Sequence, residues 1–297
     1  MPVTDTPLRY PGGKSQLLPF VVELLRENDL LYGEYAEPFA GGAGLALSLL
    51  LQGYVDRIHI NDIDPAIHAF WYSVLHHTSE LCELIESTAV TMDAWHEQRQ
   101  LLAGDAAVST LKRGFATFFL NRTNRSGILK GGVIGGYSQA SPYPLDCRFN
   151  KKDLIRKIRR IASYRSQVNL TCLDAIAFLG EVVPNSGTRL LVNLDPPYFT
   201  RGPELYMNFY RPGDHERLAQ AVQSLGKHWM VTYDDAPEIR QLYVDNRINQ
   251  YSLSYTAQLK RVGTELMILG PSLRVPNAFR ETHVPLIPDP NKLALAA

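Results

Sequence analysis

The stretch Leu190-Leu191-Val192-Asn193-Leu194-Asp195-Pro196-Pro197-Tyr198 joins a short apolar run to a stiff acidic turn. The run from 190 to 194 predicts a buried strand. The two prolines cannot continue this strand, because proline lacks an N–H group and has a fixed φ. One carboxylate and one aromatic ring therefore project just past the strand end, where open α/β sheets bind ligands. An acid, rigid carbonyl groups and a ring suit the binding of a planar base through its exocyclic amine.

Further strands and helices alternate on both sides of this turn. Short segments that are apolar, or that mix apolar with polar residues, predict strands at 34–39, 57–61, 168–172, 190–194, 229–233 and 265–269. The segments between them predict helices at 17–31, 45–52, 175–182 and 215–225. Such alternation predicts an α/β, Rossmann-like fold, in which helices cover both faces of a mostly parallel sheet.

A long stretch between the second and third predicted strands interrupts this alternation. Its pattern predicts largely helical structure from Ala66 to Leu111, a helix from Leu111 to Arg122 and a glycine-rich loop from Gly127 to Gly136. We therefore predict three parts. A discontinuous α/β domain covers 1–65 and 167–275, an inserted, mainly helical domain covers 66–166, and a loosely packed arm covers 276–297.

The inserted stretch is strongly basic although the whole chain is neutral. Residues 112–165 contain thirteen Lys or Arg and two Asp, a net charge of +11, whereas all 297 residues sum to zero. Within this stretch Leu154, Ile158 and Ile161 recur at helical spacing, and the neighbouring arginines lie off that stripe. Such a helix can pack on one side and face phosphates with the other. The basic stretch predicts a face for a polyanion such as nucleic acid, and a solvated surface is the alternative.

The rest of the composition excludes several classes of protein. No apolar stretch approaches membrane-spanning length, and the N-terminus has no signal-peptide pattern. The three cysteines Cys82, Cys147 and Cys172 are widely spaced and form no CxxC pair. This spacing argues against a disulfide framework or a zinc site and predicts a cytoplasmic protein. The absence of a long apolar stretch predicts that the protein has no membrane partner.

A second glycine-rich turn stands between a predicted strand and a predicted helix. In Phe39-Ala40-Gly41-Gly42-Ala43-Gly44, the glycines let a ligand touch the backbone, and the helix offers free N–H groups. Asp62 ends the next predicted strand, where an acid can bind a pair of ribose hydroxyls. Taken alone, this pattern equally fits an NAD-dependent oxidoreductase or a tight turn beside a solvated aspartate.

Taken together and in order, five motifs resemble one family. They are Tyr10-Pro11-Gly12-Gly13-Lys14, the segment 37–44, Asn61-Asp62-Ile63-Asp64, Phe119-Leu120-Asn121-Arg122-Thr123 and Asp195-Pro196-Pro197-Tyr198. The chain resembles the Dam-type (D12 class) N6-adenine DNA methyltransferases from Tyr10 nearly to Leu269. The resemblance implies a site-specific enzyme that transfers a methyl group from S-adenosyl-L-methionine to the N6 amine of a flipped-out adenine in double-stranded DNA. It implies no metal, and a cognate restriction endonuclease is a further candidate partner.

The resemblance also assigns residues to roles. It implies that the α/β domain is catalytic and that the insertion recognises the DNA target. The catalytic motif is Asp195, Pro196, Pro197 and Tyr198. The cofactor would contact Tyr10, Lys14, Phe39, Gly41, Gly42, Asp62, Asp174 and Asp195. The DNA would contact Asn121, Arg122, Thr123, Asn124 and Arg125. Many members carry an aromatic residue directly after the Asn-Arg pair, where this chain has Thr123, so the GATC target of the family is not implied.

The implied chemistry needs acceptors for the two N–H groups of the target amine. Asp195 and the carbonyl of Pro196 would accept these hydrogen bonds and localise the nitrogen lone pair, while Tyr198 would stack on the base. Adenine in RNA is an alternative acceptor. The amine of cytosine is less favoured, because enzymes that act on it usually carry Ser or Thr in place of Asp195. A catalytically inactive DNA-binding relative is a third possibility.

Overall fold

The computed structural model describes residues 4–10, 14–104, 107–200, 210–255, 261–276 and 286–287, and these residues contain one eight-stranded sheet. The strands are β1 (Glu34–Glu37), β2 (Arg57–Asn61), β3 (Val168–Thr171), β4 (Leu190–Leu194), β5 (His228–Asp234), β6 (Arg247–Tyr255), β7 (Arg261–Leu269) and β8 (Leu286–Ile287). Their spatial order is β3-β2-β1-β4-β5-β7-β6-β8. The first five strands of this order are parallel, and the other three pair antiparallel. The sheet is therefore mostly parallel, and the predicted fold class is confirmed.

Ten α-helices accompany the sheet in the described residues. They are α1 (Leu18–Glu27), α2 (Gly44–Leu51), α3 (Pro65–His76), α4 (Thr78–Ser87), α5 (Met92–Ala103), α6 (Thr110–Thr123), α7 (Lys151–Ala162), α8 (Ala175–Glu181), α9 (Pro212–Gln223) and α10 (Pro237–Leu242). The predicted helical stretch from Ala66 to Leu111 contains three separate helices. The chain leaves helical geometry before α5, where the Thr91 side chain accepts a hydrogen bond from the Ala94 amide and starts the new helix.

Apolar side chains cover both faces of the sheet because strand residues alternate in direction. Tyr35 of β1 and Leu191 of β4 belong to a core formed with α1, α2, α3, α6 and α7. Their neighbours Ala36 and Val192 belong to a second core, formed with α8, α9 and α10. This alternation with a period of two places one packed layer of helices on each side of the sheet.

Helix α7 has the predicted two-sided character. Leu154, Ile158 and Ile161 are buried, while Arg156 and Arg159 are exposed. Asn150 starts the helix by accepting a hydrogen bond from the Asp153 amide at 3.1 Å. Because the apolar stripe is narrow, one side of α7 packs on the core and the other carries the basic residues.

Three elements were not predicted from the sequence: α10, β6 and β8. Strand β6 pairs with β7 over the length of both strands, and β8 pairs with β6 through Gln250 and Tyr251. The predicted C-terminal arm is thus joined to the sheet at Leu286 and Ile287. The rest of the arm after position 276 lies outside the described residues, as do Pro11, Gly12, Gly13 and positions 201–209, which follow the acidic turn in sequence.

The division of the chain into 1–65 with 167–275, 66–166 and 276–297 stays a prediction. Helices α3, α6 and α7 of the proposed insertion pack into the same core as β1 and β2. No helix in the described part of the chain is long and apolar enough to cross a membrane.

Candidate active site

The sheet order reverses between β1 and β4, and this point brings the two main motifs together. Both strands end at the same edge of the sheet because they are parallel, with Ala36 paired to Val192. The Asn193 amide of β4 donates to the hydroxyl of Tyr35 on β1 at 2.8 Å. The crevice at such a reversal is the ordinary ligand site of open α/β sheets.

The turn Asp195-Pro196-Pro197-Tyr198, called the acid corner below, follows β4 directly. Pro196, Pro197 and Tyr198 are buried, whereas the Asp195 side chain is 23% exposed. The Lys14 ammonium lies 2.8 Å from Oδ1 and 3.0 Å from Oδ2 of Asp195. Thr232 of β5 donates to Oδ1 at 2.8 Å. The carboxylate is therefore held in place by two elements and still reaches the surface.

A second carboxylate, Glu265 of β7, lies beneath the acid corner. It is 2% exposed and accepts hydrogen bonds from the hydroxyls of Tyr198 and Tyr251. Its Oε2 lies 3.5 Å from the Lys14 ammonium, which is also 3.3 Å from the Tyr198 hydroxyl. Lys14 thus sits between two carboxylates, and Glu265 ties β7, β6 and the acid corner together.

A third acid, Glu37, ends β1 close to this group. Burial raises the pKa of the Glu37 carboxyl to about 8, and the nearby charge of Asp195 acts in the same direction. Tyr35 donates to its Oε1 at 3.1 Å. Glu37 is therefore mainly protonated at neutral pH and adds no second negative charge next to Asp195.

The glycine turn after β1 packs directly against the N-terminal segment. Gly41 has φ +46°, and a Cβ at this position would lie 2.5 Å from the Tyr10 ring. Trp71 of α3 donates to the Gly41 carbonyl at 2.9 Å. A side chain at Gly41 would therefore both strain the backbone and displace Tyr10. Tyr10, Gly41 and Gly42 therefore form one wall, called the glycine wall below, and their contact with a cofactor stays a prediction.

Asp62 lies at the end of β2 and touches this wall. Its Oδ2 accepts a hydrogen bond from the Gly41 amide, and its Oδ1 accepts one from the Asp64 amide, both at 2.9 Å. Burial raises the pKa of the Asp62 carboxyl to about 7, although the two amide donors oppose that shift. Each oxygen retains acceptor capacity for a further hydroxyl group.

A group of rings lies beside the glycine turn. The rings of Phe39 and Tyr210 meet edge to face at 5.8 Å, and Tyr210 contacts His215 at 5.4 Å. Asp174 starts α8 by accepting from the Ile176 amide at 2.9 Å and remains exposed. Burial raises the pKa of Tyr210, and the charge of Asp174 raises it further. Sequence reasoning did not single out Tyr210.

The N-terminal segment connects the glycine turn to the acid corner. Ser15 Oγ would lie 2.5 Å from a Cβ at Gly44, the first residue of α2. Its neighbour Lys14 reaches Asp195. Two adjacent residues of the N-terminal segment therefore contact the glycine turn and the acid corner. Lys14 lies at the acid corner in this structure, whereas Tyr10 lies at the glycine turn.

The predicted DNA-contacting turn is largely internal. Asn121 is 1% exposed, and its side chain bonds both backbone groups of Arg9 at 2.7 Å. Thr123 and Asn124 are fully buried. The Asn124 side chain accepts from Trp95 at 2.7 Å and donates to two carbonyls of the following loop. The side chains of Asn121 and Asn124 hold the loop in place, whereas Thr123 donates to the Phe119 carbonyl within α6. The exposed residue among the five predicted is Arg125.

Three arginines, Arg9, Arg122 and Arg148, form a cluster beside this loop, called the arginine cluster below. Burial lowers the pKa of Arg122 to about 10, and the charges of Arg9 and Arg148 lower it further. Arg122 donates to the carbonyl of Arg148 at 2.7 Å, and Arg9 donates to the carbonyl of Asn124 at 3.1 Å. Both of these acceptors are neutral carbonyls. Grouped, half-buried cations of this kind are typical of a polyanion site.

The comparison with protein families agrees with this geometry. The family model described as D12 class N6 adenine-specific DNA methyltransferase matches residues 10–257. The match covers well over half of the chain, and the protein belongs to this family. It is therefore a methyltransferase of the N6-adenine class. Glu265 lies beyond the matched residues.

Solved structures resemble this chain at sequence identities of 10–11%. A Pyrococcus horikoshii protein described as a candidate RNA methyltransferase is 10% identical, with 88% of this chain and 84% of that chain covered and a TM-score of 0.42. A conserved hypothetical protein of Streptococcus pyogenes is 11% identical (82% and 88% covered, TM-score 0.33). A Legionella pneumophila protein is 10% identical (91% and 88% covered, TM-score 0.33). No curated protein sequence matches the chain.

Proposed function

We propose that the protein is a site-specific DNA methyltransferase that transfers a methyl group from S-adenosyl-L-methionine to the N6 amine of a flipped-out adenine in duplex DNA. The observation that carries the proposal is the position of the acid corner at the point where the sheet order reverses. Lys14 contacts the acid corner, and its neighbour Ser15 lies against the glycine turn. Such a transfer requires a partly exposed hydrogen-bond acceptor next to a backbone surface that can bind a nucleoside.

The described residues fit the methyl donor. The Tyr10 ring lies so close to Gly41 that no side chain fits there, which makes the ring and the glycine turn one continuous surface, and Asp62 presents two oxygens at its edge for a ribose diol. Phe39 would lie against the methionine part, Tyr10 and Gly42 would complete the wall, and Asp174 would bind the adenine amine. When bound, the donor would supply an electrophilic methyl group on a sulfonium, which becomes a neutral thioether because the S–C bond breaks as the N–C bond forms.

Cofactor binding should depend on Asp62 and on its ionisation. We expect Asp62→Ala to weaken donor binding by roughly 10- to 100-fold, the loss that corresponds to hydrogen bonds with a charged acceptor. In the wild type, the donor should bind more tightly as the pH rises through about 7, because only the ionised carboxylate accepts from both hydroxyls. Isothermal titration calorimetry between pH 6 and 8 measures both effects. Equal affinity for the variant, or a pH dependence of opposite sign, would contradict the assignment.

The acid corner would prepare the target amine. Asp195 and the Pro196 carbonyl accept the two N–H groups, which localises the lone pair on nitrogen, and the amine loses its extra proton after the new bond has formed. Pro197 keeps the turn stiff. Tyr198 offers its ring as a stacking surface, and its hydroxyl bond to Glu265 fixes the ring position. Most of the rate enhancement would come from orientation and electrostatics.

Duplex DNA would approach from the side of the arginine cluster. Arg9 directly precedes Tyr10, so the cluster and the glycine wall adjoin, and exposed Arg125 follows the end of α6, which carries Arg122. Buried Asn121, Thr123 and Asn124 would support this face from within. On α7, by contrast, Asp153 pairs with two basic residues and Asp5 pairs with Arg160. Those pairs reduce the charge that α7 presents, so we place the phosphate contacts on the cluster.

The acceptor can be tested directly. Purified protein with donor carrying a tritiated methyl group is expected to label duplex DNA that contains many adenines, and to label RNA of the same sequence far less. Preferential labelling of RNA would instead support an RNA adenine methyltransferase. No labelling, together with retained DNA binding, would support an inactive relative. The cognate restriction endonuclease stays a prediction.

A further inference from the structure

Asp195 is already occupied in this structure, and the proposed reaction needs it. A carboxylate offers about four acceptor positions, and here Lys14 contacts both oxygens while Thr232 takes one of them. The ammonium of Lys14 is itself a nitrogen donor, as the target amine is. The two donors would therefore compete for the same carboxylate when the adenine enters.

Lys14 cannot simply leave Asp195, because it is buried. Its side chain is 4% exposed, and a buried cation without a partner costs far more than a paired one. A second acceptor within reach is therefore required before Asp195 can release it. Such an acceptor must be charged, since a neutral hydroxyl such as that of Tyr198 does not compensate the ammonium.

Glu265 meets these requirements. Its Oε2 lies 3.5 Å from the Lys14 ammonium, so a movement of about 1 Å or less would give a charged hydrogen bond of ordinary length. The carboxylate is 2% exposed and is fixed by the hydroxyls of Tyr198 and Tyr251. It therefore stays in place while the flexible lysine side chain moves.

We propose that Glu265 is a positioning residue, which receives the Lys14 ammonium when the target amine binds and so frees Asp195 for catalysis. The inference rests on the proposed function. Glu265 acts through Lys14 and does not touch the adenine. Without its charge, Lys14 stays on Asp195 and opposes the entry of the target amine.

A double-mutant cycle separates this role from a structural one. Glu265→Gln keeps the size of the side chain and its ability to bond both tyrosine hydroxyls, but it removes the charge. Single-turnover methyl transfer at saturating donor and DNA should slow by about 10- to 100-fold, the range of one charged hydrogen bond. In a Lys14→Met background the same substitution should change the rate by less than about threefold, because the residue through which it acts is gone.

A control variant and a fallback comparison complete the experiment. Glu34→Gln is the matched control: this carboxylate bonds His59 and the Gly187 amide at the other edge of the sheet, and its loss should leave the rate unchanged. If Glu265→Gln does not fold, the double variant is compared with Lys14→Met alone, since the double variant removes one charge of each sign. A wild-type rate for Glu265→Gln, or an equal loss in both backgrounds, would overturn the inference.

The same assay distinguishes this failure from failure of the proposed function. An active wild type with an inactive Asp195→Ala variant upholds the proposed function, whatever Glu265→Gln does. An inactive wild type would overturn the proposed function and this inference with it.

Discussion

Replacing Asp195 by Ala is expected to lower methyl transfer by about a thousandfold or more, because precisely placed electrostatic groups contribute that much to a transfer step. The variant loses the charged acceptor for the target amine, and the Pro196 carbonyl alone cannot orient both N–H groups. DNA affinity should stay within a few-fold of wild type, because the arginine cluster lies outside the acid corner. Incorporation of labelled methyl groups and fluorescence anisotropy of a DNA duplex measure the two quantities.

Two companion variants make this result specific. Asp195→Asn keeps the size of the side chain and is expected to be nearly as inactive, since an amide offers a weaker acceptor and adds donors. Asp235→Asn is the control, because Asp235 is exposed after β5 and pairs with Arg240; its activity should equal that of the wild type. Wild-type turnover by Asp195→Ala would refute the assignment of the acid corner.

The second large effect is the salt dependence of DNA binding. If the arginine cluster and Arg125 contact about four phosphates, log K should fall with log salt at a slope of about −3.6 for duplex DNA. This slope corresponds to roughly 150-fold weaker binding at 200 mM than at 50 mM salt. Anisotropy titrations at several salt concentrations give the slope. A flat response over this range would count against the proposed face.

Arg9→Gln tests the contribution of a single cation to this slope. The Arg9 backbone is held by Asn121, so the substitution should leave the local fold intact. The slope should become shallower by about 0.9, equally for all DNA sequences, as expected for a lost phosphate contact. Arg189→Gln is the matched control: Arg189 also donates to carbonyls, of Leu31 and Tyr32, but stands just before β4 at the opposite edge. An unchanged slope for Arg9→Gln would remove Arg9 from the face.

The central parallel strands were predictable from their local patterns. Strands β2 and β4 have the predicted bounds, because β4 is apolar except for Asn193 and because Ile58 and Ile60 of β2 alternate with polar residues. Strand β6 was missed because its sequence mixes Asn, Gln and Ser with apolar residues. Such a strand forms through pairing with β7, a tertiary effect that local patterns do not contain.

The candidate site was predictable where a motif carries it. Asp195, Tyr198, Gly41 and Asp62 lie at the predicted sheet edge, since turns after parallel strands must meet there. Their roles remain proposals. Glu265 has no motif around it, and the one available signal is a single acid ahead of the apolar run 266–269. Its importance appears only when β7 places it under the acid corner.

In the inserted segment, the net charge was predictable from the sequence, but the exposure of individual polar residues was not. Its charge predicts a polyanion face, but the sequence does not say which polar residues point outward. Asn121 and Asn124 are polar yet buried, because the backbone of the N-terminal segment and of the following loop needs partners for its hydrogen-bonding groups. Local composition could not separate these supporting residues from exposed Arg125.

The most direct test of the account is the chemical identity of the product. Duplex DNA incubated with the protein and a donor carrying a 13C-labelled methyl group is digested to nucleosides and analysed by mass spectrometry. Labelled N6-methyladenine is expected from the wild type, and at least about a thousandfold less of it from Asp195→Ala. Label on cytosine, or label on no base in DNA while RNA adenine is methylated, would contradict the account.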